Sequence, residues 1–277
     1  MRWALALAAM LGATVAVAQS ESPPPRDAPY FPTPQSVVDR MLQLAKVGPD
    51  DFVIDLGAGD GRIVITAAKK YGARGLGIEI EPSLVTQANW NARRDGVGDR
   101  VKIVEQDLFQ TDLRPATVLT LYLFRELNIK LAPRILEQLR PGARVVSHDW
   151  DLGDWTPDHQ ETMPAPDKAV GISRESKVFL WIVPARIHGD WRVETTLTGA
   201  QSAQYAQLAL RQRYQFFEGT LDAVTLKDGR ASGTSLAFTV AGATPFAGRY
   251  EGTAEGDAIA GRVVRADGTA GTWRAVR

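Results

Sequence analysis

VIDLGAGDGR, residues 53 to 62, decides how this chain is read. A short apolar strand passes into a turn with glycines at 57, 59 and 61, and a helical stretch follows. Glycine lacks a Cβ, so the backbone there adopts unusual φ values and approaches a ligand closely. A helix starting at such a turn presents free N–H groups and the positive end of its dipole. In α/β proteins this is where a nucleotide-like cofactor is held. Two fingerprints are excluded by the residues themselves. The dinucleotide pattern G-x-G-x-x-G needs a third glycine where this chain has Arg62, and Gly61 falls one residue early. A phosphate-binding P-loop needs G-K-[ST] after the turn, and none follows.

What remains is an acid before the turn and two more at the ends of the next strands. Asp55 closes the first strand, and a carboxylate there suits a ligand bearing an ammonium group. Glu79 closes the second, twenty residues after Gly59, the reach of an acid that accepts hydrogen bonds from ribose hydroxyls. Asp107, in VEQDLF, is expected to close the third, where a side chain meets the exocyclic amine of a base. An ammonium, a ribose and an adenine together describe S-adenosylmethionine (SAM). Asp60 could serve as a cap for the helix that follows.

The surrounding chain alternates between the two regular periods. DFVIDLG, RGLGIEI, RVKIVEQD, ATVLTLYLF, ARVVSHDW and SKVFLWIVPA read as strands. PQSVVDRMLQLAKVGPDD, DGRIVITAAKKYG, PSLVTQANWNARRDG and ELNIKLAPRILEQLRPG read as helices. Strands interleaved with helices of this length predict a Rossmann-like, doubly wound α/β sheet over residues 34–185, mostly parallel with an antiparallel last strand. After Pro184 short strand-like pieces split by Gly and Asp take over. They predict a small antiparallel β domain over 186–277, a sandwich or partial barrel of unknown role.

Bulk composition narrows the classes. The chain has 277 residues, 44% hydrophobic and 23% charged, an ordinary globular composition. Lys+Arg and Asp+Glu are both 32, so no global basic field gathers nucleic acid, and no nucleic-acid partner is expected. There is no cysteine, which excludes disulfides, thiolate metal clusters and a Cys nucleophile. Residues 1–18, MRWALALAAMLGATVAVA, combine one basic residue, an apolar run and an A-x-A end, the pattern of a secretory signal peptide. A periplasmic or secreted protein is therefore expected; the alternative is an uncleaved anchor on the cytoplasmic face of the inner membrane. Residues 19–33, rich in Pro and Ser, read as a linker and arm.

VIDLGAGDGRIVITAAKKYGARGLGIEI resembles the first two motifs of the class I (seven-strand) SAM-dependent methyltransferases. PYFPTPQSVVDRMLQLAKV and LYLFRELNIKLAPRILEQLRPGARVVSHDWDLGDW are similar, more narrowly, to small protein-lysine methyltransferases. That group includes mitochondrial enzymes acting on membrane-embedded carriers, such as the adenine nucleotide carrier, and on the c-ring protein of the ATP synthase. The resemblance covers residues 29–185, and the β domain lies outside it. It implies SAM as cofactor, with Asp55, Gly57 and Gly59 at its methionine part, Glu79 at the ribose and Asp107 at the adenine. The implied cofactor set takes in Asp60, Gly61, Ile80 and Leu108 as well, and Tyr30 as an arm residue folded over the cofactor. It further implies N-methylation of a protein lysine, possible only for an uncharged amine, with a membrane-proximal substrate as one option. A small-molecule acceptor, or an exported scaffold with a methyltransferase-like fold and no turnover, are the alternatives.

The acceptor pocket is expected at the carboxyl ends of the fourth and fifth strands. LYLFRELN offers Tyr122, Glu126 and Asn128; SHDWDLGDW offers His148, Asp149, Trp150, Asp151 and Trp155. Aromatics beside acids clamp an alkylammonium through cation–π and charge contacts. Tyr122 and Asp149 are the candidate catalytic residues, and Tyr122 and Trp150 could equally be core. His148 has acids near it but no second His, so no metal site is expected. His159 and His188 are expected at the surface.

Overall fold

The alternating periods resolve into two bodies in a computed structural model that describes residues 30–171 and 173–277. The expected signal segment and the linker up to residue 29 lie outside the described residues. The first body contains α1 (Gln35–Leu44), β1 (Phe52–Leu56), α2 (Arg62–Tyr71), β2 (Arg74–Glu79), α3 (Pro82–Arg94) and β3 (Val101–Glu105). It continues with a 3-10 turn (Leu108–Gln110), β4 (Val118–Leu121), α4 (Arg125–Gln138), β5 (Arg144–His148), β6 (His159–Pro164) and β7 (Glu175–Ile182). The sheet order is β3-β2-β1-β4-β5-β7-β6. β1 to β5 run parallel, and β7 is antiparallel to both β5 and β6. This is the α/β sheet expected, with one strand more. HQETMP carries no apolar alternation because β6 is the exposed edge of the sheet, so nothing in its sequence marks it as a strand.

Burial explains the legible strands. VLTL of β4 is buried along its whole length, as a strand covered on both faces must be. One face packs α1, α2 and α3 through Val37, Met41, Ile63, Val64, Ala67 and Ala88. The other packs α4 through Leu131 and Ile135, and continues into Trp155 and Trp181. The order reverses between β1 and β4, the switch point at which doubly wound sheets open a crevice beyond the carboxyl ends of their strands.

The second body is a closed antiparallel barrel, not a sandwich or partial barrel. Its strands are β8 (Gly189–Leu197), β9 (Gln204–Arg213), β10 (Phe216–Leu221), β11 (Val224–Ser232), β12 (Ser235–Val240), β13 (Gly248–Glu255), β14 (Ala258–Val264) and β15 (Ala270–Val276). β15 pairs with β8 and β9 with β10, which removes every sheet edge. Alternation such as that of β9 sends every second side chain inward. Trp191, Phe238, Tyr250 and Trp273 fill the interior, with Phe238 stacked on Tyr250 at 4.9 Å between centroids. An eight-stranded barrel is narrow enough to be filled by its own side chains.

The barrel docks on the segment after β5. Tyr214 stacks on Trp155, centroids 5.8 Å apart. Gln215 Nε2 donates to the Thr156 carbonyl at 2.7 Å, and Arg213 and Arg230 pair with Asp154 and Asp158.

Candidate functional site

The glycine turn sits at the switch point, and its amides are already engaged. Gly57 N and Ala58 N both donate to the Ile78 carbonyl, Gly59 N to Glu79 Oε2, and Gly61 N to the Ala58 carbonyl. Arg62 N donates to Asp60 Oδ1. A pyrophosphate would find these donors taken and acids around it, the opposite of an anion cradle. A cavity of about 400 Å³ opens beside the turn. Among the described residues its charged lining is Asp55, Asp60, Glu79, Asp107 and one base, Arg62. Arg62 is bound to Asp60 through Nε and Nη2, at 2.9 and 2.6 Å, so little positive charge is left for a ligand.

Asp55 is the most perturbed of these groups. The β1–β4 register sets it opposite Thr120, whose Oγ1 donates to Asp55 Oδ1 at 2.7 Å. Burial pushes its carboxyl up to about 7; the Thr120 bond opposes this, and Glu79 and Asp60 add to it. Among the described residues no cation stands beside it, and a buried acid so placed suits a cationic ligand. Glu79 is buried at the end of β2, as expected, and holds the turn: its Oε1 accepts from Ile80 N at 2.8 Å and Glu81 N at 3.0 Å.

Asp107 departs from expectation in position. β3 stops at Glu105, and Asp107 caps the 3-10 turn through Phe109 N at 2.8 Å. It still lines the cavity, with Leu108, Ile80 and Leu84 as its apolar neighbours there. Gly61 does not line the cavity. A Cβ there would meet Ala88 and Ile65 at 3.2 Å, so it lets α3 pack against the turn. That is the packing role of the third glycine in dinucleotide folds, performed one residue early.

The arm closes the cavity. Tyr30, Phe31, Pro32 and Thr33 all line it. A Cβ on Gly59 would lie 2.3 Å from Tyr30 Cε2, so the ring rests on that glycine. Arg62 Nη1 donates to the Thr33 carbonyl at 2.8 Å and fastens the arm to the turn. Burial, then Asp60, raise the Tyr30 phenol above its ordinary value.

A second chamber of about 320 Å³ adjoins the first and shares Phe31, Tyr122 and Leu123 with it. Phe124, Trp150, Asp149 and Lys168 complete its reactive lining. Of the expected acceptor residues, Tyr122, Asp149 and Trp150 are therefore brought together. Trp150 is 39% exposed and Tyr122 half-buried, so neither is simple core. The rest fall elsewhere. Trp155 is fully buried between Trp181 and Tyr214, because the barrel covers it. Asn128 is buried and donates to Ser147 Oγ and the Trp150 carbonyl, bracing the loop from below. Asp151 pairs with Arg125, and Glu126 is exposed and outside the chamber. His148 is fully buried under Tyr122, rings 3.9 Å apart. Its Nδ1 and Nε2 lie 3.2 Å from Thr33 Oγ1 and 2.8 Å from Ser176 Oγ. Burial takes it down to about 4, so it stays neutral at physiological pH. Burial, with Asp149, pushes the Tyr122 phenol up to about 12. His159 and His188 are exposed, as expected.

Thr33, Thr120, Leu84 and Lys168 were not legible as site residues. Thr33, Thr120 and Lys168 act through partners distant in sequence, Leu84 only lines the cavity, and no local spacing marks any of them.

The chain matches known proteins over this same region. A model of the ANTKMT methyltransferase domain matches residues 55–159. A protein-lysine N-methyltransferase of Saccharolobus islandicus (strain REY15A) is 45% identical over 130 residues, 47% of this chain and 81% of that protein. The adenine nucleotide translocase lysine N-methyltransferase of Mus musculus is 35% identical over 130 residues, 47% of this chain and 56% of that protein. A crystal structure described as an RNA methyltransferase from Salinibacter ruber in complex with S-adenosyl-L-homocysteine is 50% identical. It covers 56% of this chain and 95% of its own, with a TM-score of 0.51. These relatives differ in acceptor, protein lysine or RNA, and agree on methyl transfer.

Proposed function

Because the chain belongs to the SAM-dependent protein-lysine N-methyltransferase family, we propose that it methylates the ε-amine of a lysine in a partner protein. The carrying observation is the acidic cavity at the switch point, with Asp55 buried and raised to about 7 beside a turn whose amides are engaged. These residues suit a ligand with a cationic end, and SAM carries both an ammonium and a sulfonium. Asp55 would hold the ammonium, the remaining acceptor capacity of Glu79 the ribose hydroxyls, and Asp107 the adenine amine. Ile80, Leu84 and Leu108 would flank the base, and Tyr30 on Gly59 would exclude water from above. When bound, SAM supplies an activated methyl group, so the protein needs no metal or covalent nucleophile and acts by positioning and by excluding water.

The second chamber is the acceptor site in this reading. Tyr122 and Leu123 form its shared wall with the cofactor cavity, and Phe31, Phe124 and Trp150 give the apolar sides an alkyl chain needs. The acceptor is membrane-proximal in this proposal. Phe31, Phe124 and Trp150 on the chamber and Ile129 beside Gly153 are each 38–40% exposed, an apolar patch suited to an apolar partner surface. Residues 1–18 would either export the protein or anchor it on the cytoplasmic face of the inner membrane, and a membrane partner suits the anchored form. Calorimetry with S-adenosylhomocysteine (SAH) tests the cofactor half. Wild type should bind, and Asp55→Ala should not. A folded wild type that does not bind SAH removes the proposal.

A further inference from the structure

The acceptor chamber contains an ion pair that positioning alone does not explain. Lys168, in the loop between β6 and β7, places Nζ 2.7 Å from Asp149 Oδ2 and donates to the Glu175 carbonyl at 2.7 Å. The two side chains are only 11% and 16% exposed, and both line the chamber. Asp149 is held firmly: its φ is +63°, its amide donates to the Lys177 carbonyl at 2.8 Å, and its Oδ1 accepts from Lys177 N at 3.0 Å. Such a backbone is strained for a residue with a Cβ, so its carboxylate is placed at a cost.

Among the described residues, the neighbours of the pair carry no compensating charge. His148 Nε2 lies 3.5 Å from Asp149 Oδ2, and burial keeps that ring neutral. The Tyr122 phenol stays protonated. Asp167, Arg174, Glu175 and Lys177 in the adjoining loop and strand are exposed, and Asp151 is paired with Arg125. The chamber is thus aromatic, half-enclosed and without net charge.

A carboxylate alone at this point would bind an alkylammonium, the form of lysine that cannot attack. With Lys168 on that carboxylate, an incoming ammonium loses hydration and finds no free counter-charge. An uncharged amine meets no such penalty. We propose that Lys168 neutralises Asp149 so that the acceptor chamber selects the uncharged, nucleophilic form of an alkylamine. The proton passes to bulk water before the amine enters, and the chamber needs no general base. Lys168 is then a specificity-determining residue. The inference rests on the lysine reading above.

The test uses n-butylamine as probe on the full chain saturated with SAH, by calorimetry at pH 7.5, 8.5 and 9.5. The uncharged fraction of such an amine rises about tenfold per pH unit below its pKa of about 10. Tyr122, held at about 12, and His148, at about 4, do not titrate in that window. Wild type should show an apparent Kd falling about tenfold per pH unit. Lys168→Met, leaving Asp149 unpaired, should bind more tightly at pH 7.5 and give a flat profile. The double variant Lys168→Met/Asp149→Asn should be steep again, which a merely structural role for the pair would not produce. If Lys168→Met does not fold, Lys168→Gln removes the charge and keeps a donor for the Glu175 carbonyl. A flat wild-type profile, a steep single variant, or no butylamine binding at pH 9.5 by SAH-loaded wild type overturns the inference alone. Failure of folded wild type to bind SAH overturns the methyltransferase reading beneath it.

Discussion

The ring of Tyr30 lies on Gly59 so closely that a single added methyl would collide with it at 2.3 Å. Gly59 also has φ +54°, a region L-residues adopt at a cost of roughly 1–2 kcal/mol. Gly59→Ala should lift the arm from the cavity. SAH affinity should fall at least about tenfold in calorimetry, with Tyr30→Ala giving a similar loss. An unchanged Kd in both would mean that the arm does not close the cofactor site.

Asp55 joins function to instability. Its folded-state carboxyl is raised from an ordinary value of 3.8 to about 7. The folded chain therefore holds a proton that the unfolded chain releases. The stability this group confers is full below about pH 4 and is lost as pH rises toward 7, by about 4 kcal/mol at most. Asp55→Asn should melt with wild type at pH 4 and several degrees above it at pH 7.5, while losing SAH binding. A variant that melts lower than wild type at pH 7.5 would show that the buried charge is compensated without ligand.

Tyr122 tests how the acceptor amine is activated. A phenol at about 12 is a poor proton acceptor near pH 7. Tyr122→Phe keeps the ring stacked on His148 and should hold turnover within about threefold, while Tyr122→Ala opens the wall between the chambers and should lose most of it. A loss of about a hundredfold or more in Tyr122→Phe, the scale of a removed acid–base group, would restore a proton-transfer role.

The barrel's grip on the loop after β5 is measurable. Tyr214 stacks on Trp155, which is itself fully buried. Tyr214→Ala should cost about 2–3 kcal/mol in urea unfolding, through lost aromatic contact and a cavity over Trp155. A cost below about 0.5 kcal/mol would show that the barrel merely adjoins the sheet.

How far the sequence leads is set by how local each signal is. The turn at Gly57 to Gly61, the buried run of β4 and the acids at Asp55 and Glu79 depend on neighbours in sequence, and all are where the periodicity places them. β6 was invisible because an exposed edge strand needs no apolar face. Barrel closure depends on β9 meeting β10 and β15 meeting β8, a matter of long-range pairing rather than of any one strand. Trp155 resembled a pocket aromatic until the barrel covered it. Lys168 gave no signal at all, since its meaning lies in Asp149, nineteen positions earlier and across a loop.

The most direct measurement follows the methyl group to its acceptor atom. The protein is incubated with methyl-labelled SAM and a membrane-containing extract, and the labelled product is hydrolysed to amino acids. Label should be recovered as Nε-methylated lysine, resistant to ribonuclease and absent with Asp55→Ala. Label released by ribonuclease, recovered on another residue, or not transferred at all by SAH-binding protein would contradict it.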